Sequence, residues 1–184
     1  MKKSAITVLA LALVASSALR AADRPKTRSE PTALPVALSS DFEFRKTKLF
    51  RMDPTPPKMQ GSKLRSFSKG NSAPDASIAF ERSYRLFGAA TALDQRQRFG
   101  DYFDFFWQAK READVTVRLE YRQEKLRSFV QSREVSYHQG RGHHKTEFAI
   151  IGDDYLDDGH TIAWRCLLIA DGRIVAENRS YLWK

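Results

Sequence analysis

Val115-Thr116-Val117-Arg118-Leu119-Glu120-Tyr121-Arg122 decides the reading of this chain: its odd positions are apolar and its even positions polar. A period of two is the pattern of a β-strand with one face in a core. Just upstream, Phe103, Phe105 and Trp107 share one face of the segment 101–109, and Tyr102 and Phe106 share the other. A strand that is aromatic on both sides is expected at the centre of a sheet. Further apolar-rich segments lie at 78–87, 128–137, 145–151, 160–170 and 173–183, separated by turn residues. Gly140–Gly142 break the chain before the strand with Phe148 and Ile150, and Asp158-Gly159 precede the one with Trp164. Only Gly88–Arg98, with Ala89, Ala90, Ala92 and Leu93, reads as a helical turn.

About seven short strands without alternating helices predict an all-β fold, an antiparallel β-sandwich over residues 77–184. The layout is similar to that of immunoglobulin-like and fibronectin-III-like domains, in architecture alone. The paired cysteines of antibody-type domains are absent, and Ile162 stands where their corner tyrosine is expected. An open barrel and a jelly roll are the alternatives. The last two strands flank Asp171-Gly172, a dipeptide suited to positive φ in a tight hairpin. A two-residue type I′ turn predicts that Leu168 faces Val175, Trp164 faces Arg179 and Ile162 faces Tyr181. A type I turn with a bulge shifts each pair by one.

The chain ahead of this domain has a different texture. Lys2 and Lys3, the uncharged apolar run Ala5–Val14 and the small residues that follow read as an export signal over 1–21. The apolar run is shorter than the roughly 20 residues of a membrane span. The protein is therefore expected outside the cytoplasm, in a periplasm or the exterior. Residues 22–76 contain all seven prolines and read as a basic, Pro/Ser-rich flexible or disordered tail. Within it, Phe42–Phe50 partly alternates, as an edge strand or a partner-binding segment would. The excess charge is also located here. Residues 22–72 hold 11 Lys/Arg against 5 Asp/Glu, whereas 73–184 hold 17 of each sign. Cys166 is the only cysteine, so no internal disulfide can form, and its apolar run Ile162–Ile169 predicts a buried thiol.

Candidate chemistry is sparse. Asp153, Asp154, Asp157, Asp158 and His160 crowd one loop, but an EF-hand alignment puts Leu156 and Arg165 at ligand positions. His138, His143 and His144 read as lying within one glycine-containing loop, where imidazoles could hold zinc or copper, but Arg141 and Lys145 beside them would repel a cation. No nucleophile elbow, phosphate loop or zinc-protease helix is present in the sequence. No catalytic, cofactor-binding or metal residue is assigned. The basic segment has the best claim on a partner: Arg45, Lys46, Lys48, Arg51, Lys58, Lys63, Arg65 and Lys69 interleave with Phe42, Phe44, Leu49 and Phe50. Cations with aromatics suit a polyanion, here an anionic envelope lipid or polysaccharide rather than nucleic acid. The expectation is an exported, non-catalytic binding or structural module. The alternatives are a small secreted metal-dependent hydrolase using the Asp153–His160 loop, and a carbohydrate-binding module presenting Trp183 as its exposed aromatic.

Overall fold

Two long strands organise the computed structural model, which describes residues 26–28, 31–54 and 73–184. Strand β3 (Gly100–Gln123) runs antiparallel to β4 (Gln131–Ile151) along almost its whole length. On its other edge β3 has two successive partners. Its first half pairs with β2 (Phe42–Met52), and its second half with β5 (Thr161–Ala170). Strand β6 (Arg173–Arg179) pairs with β5, and the short β1 (Lys26–Arg28) pairs with β4. Among the described residues all six strands therefore belong to one antiparallel sheet. The sheet curls far enough that Asn178 Nδ2 on β6 donates to Thr47 Oγ1 on β2 at 2.7 Å.

The all-β expectation holds, while the division into strands differs. The segments 101–109 and 114–122 are one strand, and so are most of 128–137 and 145–151. Register shifts between Ala109 and Val115 leave Lys110, Arg111 and Glu112 outside the ladder and bend the strand there. Gly142 faces Ala109 and Gly140 faces Ala113, so the glycines that read as a break mark the partner side of this bulge.

A second correction concerns 78–87, which is not a strand. It belongs to helix α1 (Ala73–Leu86), followed by the short α2 (Ala92–Arg96). The alternation of Ile78 and Phe80 suggested a strand, but Phe80, Tyr84 and Phe87 recur at helical spacing. Glu81 and Arg85 form an i,i+4 ion pair of 2.8 Å, and Pro74 sits in the first turn where it costs no hydrogen bond.

The core forms on the side of β3 that carries its odd positions. Phe103, Phe105, Trp107, Val115, Val117, Leu119 and Tyr121 are all buried, together with Phe148, Ile150, Cys166 and Leu168. Burial pushes the Cys166 thiol pKa well above its usual value. Over the second half of β3 the opposite face is covered as well. Residues 31–41 cross it as a strap: the Arg118 guanidinium donates to Thr32 O at 2.9 Å, and Leu34 packs on Leu167, Ile169 and Ile174. Ala37 N and Ser39 N then donate to the carbonyls of Ile174 and Val175 on β6. The folded unit thus extends N-terminally beyond residue 77 to include this strap and β2.

The final hairpin turns at Asp171 (φ 52°) and Gly172 (φ 70°), the two positive dihedrals of a type I′ turn. Ala170 faces Arg173 and Ile169 faces Ile174, as a two-residue loop requires. A bulge at Val175 then shifts the register by one. Leu168 meets Ala176 and Arg165 meets Arg179, in place of the predicted Leu168–Val175 and Trp164–Arg179 pairs. Beyond Arg179 the chain leaves the sheet, so Ile162 and Tyr181 do not pair.

Candidate polyanion-contact face

Strand β2 owes its place to Phe42 and Met52, which are buried at its two ends and pin it to β3. A register shift between Phe44 and Lys46 places Lys46 opposite Phe106, Lys48 opposite Asp104 and Phe50 opposite Tyr102. These positions of β3 face Lys145, Glu147 and Ala149 of β4. One sheet face therefore carries three rows across β2, β3 and β4, on the side away from Phe103 and Phe105.

The predicted cations divide according to their partners. Arg45 is held by Glu43 at 2.8 Å and donates twice to Gln108 Oε1, at 3.1 and 2.7 Å. Arg51 binds Asp101 Oδ1 at 2.7 Å and Thr161 O at 3.2 Å. Partial burial disfavours the charged guanidinium of Arg51, but the Asp101 hydrogen bond together with the negative charges of Asp101 and Asp53 outweighs it and raises the pKa. Both arginines serve the fold. Lys46 and Lys48 are exposed and have no ion-pair partner among the described residues. Lys58, Lys63, Arg65 and Lys69 lie outside the described residues, as does the export-signal segment 1–21.

Strand pairing adds groups that the sequence did not connect. The Nζ atoms of Lys48 and Lys145 lie 5.6 and 5.7 Å from the centroid of the half-buried Phe106 ring. Lys145 is paired to Asp104 at 3.2 Å and to Glu147. Desolvation opposes its charge, yet hydrogen bonds to Glu147 and Asp104 hold its pKa above the usual lysine value. Arg85 of α1 joins from above, 4.4 Å over the Tyr102 ring and 3.8 Å from Asp104. A groove of about 330 Å³ separates α1 from β2, lined among others by Lys48, Leu49, Ile78 and Arg85. Such a face offers two free ammonium groups beside an aromatic ring, with the remaining charges neutralised in pairs. That suits electrostatic contact with phosphate, sulfate or carboxylate groups.

The other sequence candidates are differently employed. Asp153–Asp158 form helix α3, in which the Tyr155 hydroxyl donates to Asp53 and Asp154 pairs with Arg133. Lys125 Nζ donates to the carbonyls of Leu156 and Asp157, and His160 lies 2.9 Å from Glu124. Among the described residues no three His, Cys, Asp or Glu side chains converge as metal ligands would. His138, His143 and His144 run within β4 rather than in a loop. The His144 ring stacks on buried Trp107 at 4.4 Å, while His138 lies 3.7 Å from Asp114.

Trp183, expected as the exposed aromatic, is buried between the guanidiniums of Arg122 and Arg165, at 4.7 and 5.2 Å. The exposed aromatic near the C-terminus is Tyr181. A second concavity, about 650 Å³, lies between residues 38–44 and 175–179, where the curled sheet brings β2 towards β6. No helix among the described residues is long and apolar enough to cross a membrane. No protein-family model, curated protein or solved structure matches the chain.

Proposed function

We propose that this chain is an exported, non-catalytic binding module that holds an anionic envelope component, lipid or acidic polysaccharide. The observation that carries this reading is the pair Lys46 and Lys48, exposed beside Phe106 and free of ion pairs among the described residues. The basic residues Lys58, Lys63, Arg65 and Lys69 follow β2 in the chain with no acid among them. Export rests on the charged start, apolar run and small residues of 1–21. A sandwich in the immunoglobulin-like layout is the finer fold reading. It is supported by the bend at Lys110–Glu112, which separates the β2 side of the sheet from the β5 side.

A salt titration of binding to anionic vesicles and to an acidic polysaccharide tests the function. Affinity should fall as salt rises, because neutralised anions release counterions. Deleting residues 22–76 would remove β2 from the sheet, so charge removal is the cleaner change. Replacing Lys46 and Lys48 by Gln should weaken binding by about thirtyfold, at roughly 1 kcal/mol for each cation near an anionic surface. Binding indifferent to salt and to both substitutions would overturn the reading.

A further inference from the structure

The groove between α1 and β2, about 330 Å³, lies within the size range of small-ligand sites. Ser77, Glu81 and Arg85 recur every four residues along it, so α1 turns one face to the groove over a rise of about 12 Å. Lys48 and the half-buried Phe50 line the other wall, and Lys46 extends the same row of β2. The site is therefore elongated and walled, with its two free ammonium groups on one side.

Its charge is sparse. Glu81, Asp104 and Glu147 share only Arg85 and Lys145 as ion-pair partners among the described residues. Once Lys46 and Lys48 are included, the cations of the face outnumber these carboxylates by one. An ionised carboxyl offers about four lone-pair sites, so these three retain acceptors for hydroxyl groups.

Resting on the polyanion reading above, we infer that the groove between α1 and β2 holds an acidic polysaccharide whose carboxylates are spaced among hydroxyls, as in a polyuronate. Carboxylates of the sugar chain meet Lys46 and Lys48, its hydroxyls donate to Glu81 and Asp104, and its apolar C–H faces lie against Phe50. This mixture of an aromatic wall with a few placed polar groups is what orients a ligand in a concave site. An anionic bilayer is a poorer match. Its surface is flat and dense in phosphate, so it cannot follow a groove, and Glu81, Asp104 and Glu147 repel it.

The test uses the full chain with polygalacturonate, its methyl ester, and vesicles of phosphatidylglycerol mixed equally with phosphatidylcholine. Polygalacturonate should bind at least about tenfold more tightly than the ester, which keeps most hydroxyls and loses the charge. Ser77 is exposed on α1, so Ser77→Trp fills the groove without entering the core. It should weaken polygalacturonate binding by at least about tenfold, by steric exclusion alone. Ile78→Trp, on the same wall and 55% exposed, repeats the measurement if the first variant misfolds. Polygalacturonate bound equally by the parent and the tryptophan variants overturns the groove assignment and leaves the polyanion reading standing. Salt-sensitive binding to the vesicles but not to polygalacturonate does the same, and assigns the face to a bilayer. Acid and ester bound alike overturns the inference too, and both readings fall if vesicle binding is then indifferent to salt.

Discussion

The hydroxyl of Tyr155 donates a 2.6 Å hydrogen bond to Asp53 Oδ1, joining residues 102 positions apart. It ties the chain just after β2 to α3, beside a second tie in which Asp101 holds both the Arg51 guanidinium and the Thr161 amide. Four segments of distant sequence therefore meet at one end of the sheet.

Removing that hydroxyl should be felt in stability rather than in shape. Tyr155→Phe leaves the ring in place and deletes one hydrogen bond to an exposed carboxylate. A loss of about 1 kcal/mol is expected, read as a lower urea midpoint at unchanged slope.

Alkali should act at the same residue. Burial, and then the bond to Asp53, raise the Tyr155 pKa above its usual value, and burial raises those of Tyr102, Tyr121 and Tyr137. Each phenol is thus held protonated in the folded chain beyond the point at which it ionises in the unfolded chain. Their contribution is fully present below about pH 10 and is lost as pH rises above it. Stability measured by urea should fall on going above about pH 10, and less steeply in Tyr155→Phe.

A charged cluster beneath the strap offers a larger effect. Glu120 is 2% exposed, 2.6 Å from Arg165 and 3.7 Å from Arg118, which also binds Glu134 at 2.6 Å. Arg118→Leu strips the shared cation from two carboxylates and orphans the carbonyl of Thr32. A loss of about 3–5 kcal/mol is expected in chemical denaturation.

Two glycines with positive φ should respond unequally. At Gly100 (φ 148°) a Cβ would collide with the backbone of Ile150 and Ile151, whereas at Gly172 (φ 70°) it would meet open space. Gly172→Ala should cost about 1 kcal/mol in conformational strain alone. Gly100→Ala must also displace the β3–β4 ladder and should cost clearly more. Paired thermal melts separate the two.

Cys166 should be silent to thiol reagents in the native state. Its thiol is fully buried with a raised pKa, so little thiolate is present or accessible. Labelling should appear only across the denaturation transition, and label uptake in native buffer would contradict the burial.

The core face of β3 was readable in the sequence because alternation reports which side of a strand is dry: Phe103 to Trp107 and Val115 to Tyr121 all occupy it. Alternation does not report what covers the other side. Arg118 and Glu120 read as solvent-facing, yet they are buried beneath a strap anchored at Thr32, 86 positions away. Phe80, Tyr84 and Phe87 were misread because a short apolar run fits either period when Ile78 and Phe80 happen to alternate. At the candidate face, Lys46 and Lys48 were visible as charge beside aromatics. Their meeting with Phe106 and Lys145 depends on two strand registers and on the shift at Phe44–Lys46, none of which the local sequence encodes.

The double sharing of β3 also has a kinetic consequence. Its pairing with β4 closes through the short connection between Gln123 and Gln131, so that ladder can zip from one turn. Its pairing with β2 must bring Phe42 to Ala109 and Met52 to Gly100 across a stretch that includes all of α1 and α2. Loop-closure entropy opposes such a late, distant docking until the hairpin has already made a template. Refolding should accordingly be slow for a chain of this size, and β2 should gain protection from hydrogen exchange later than the β3–β4 hairpin.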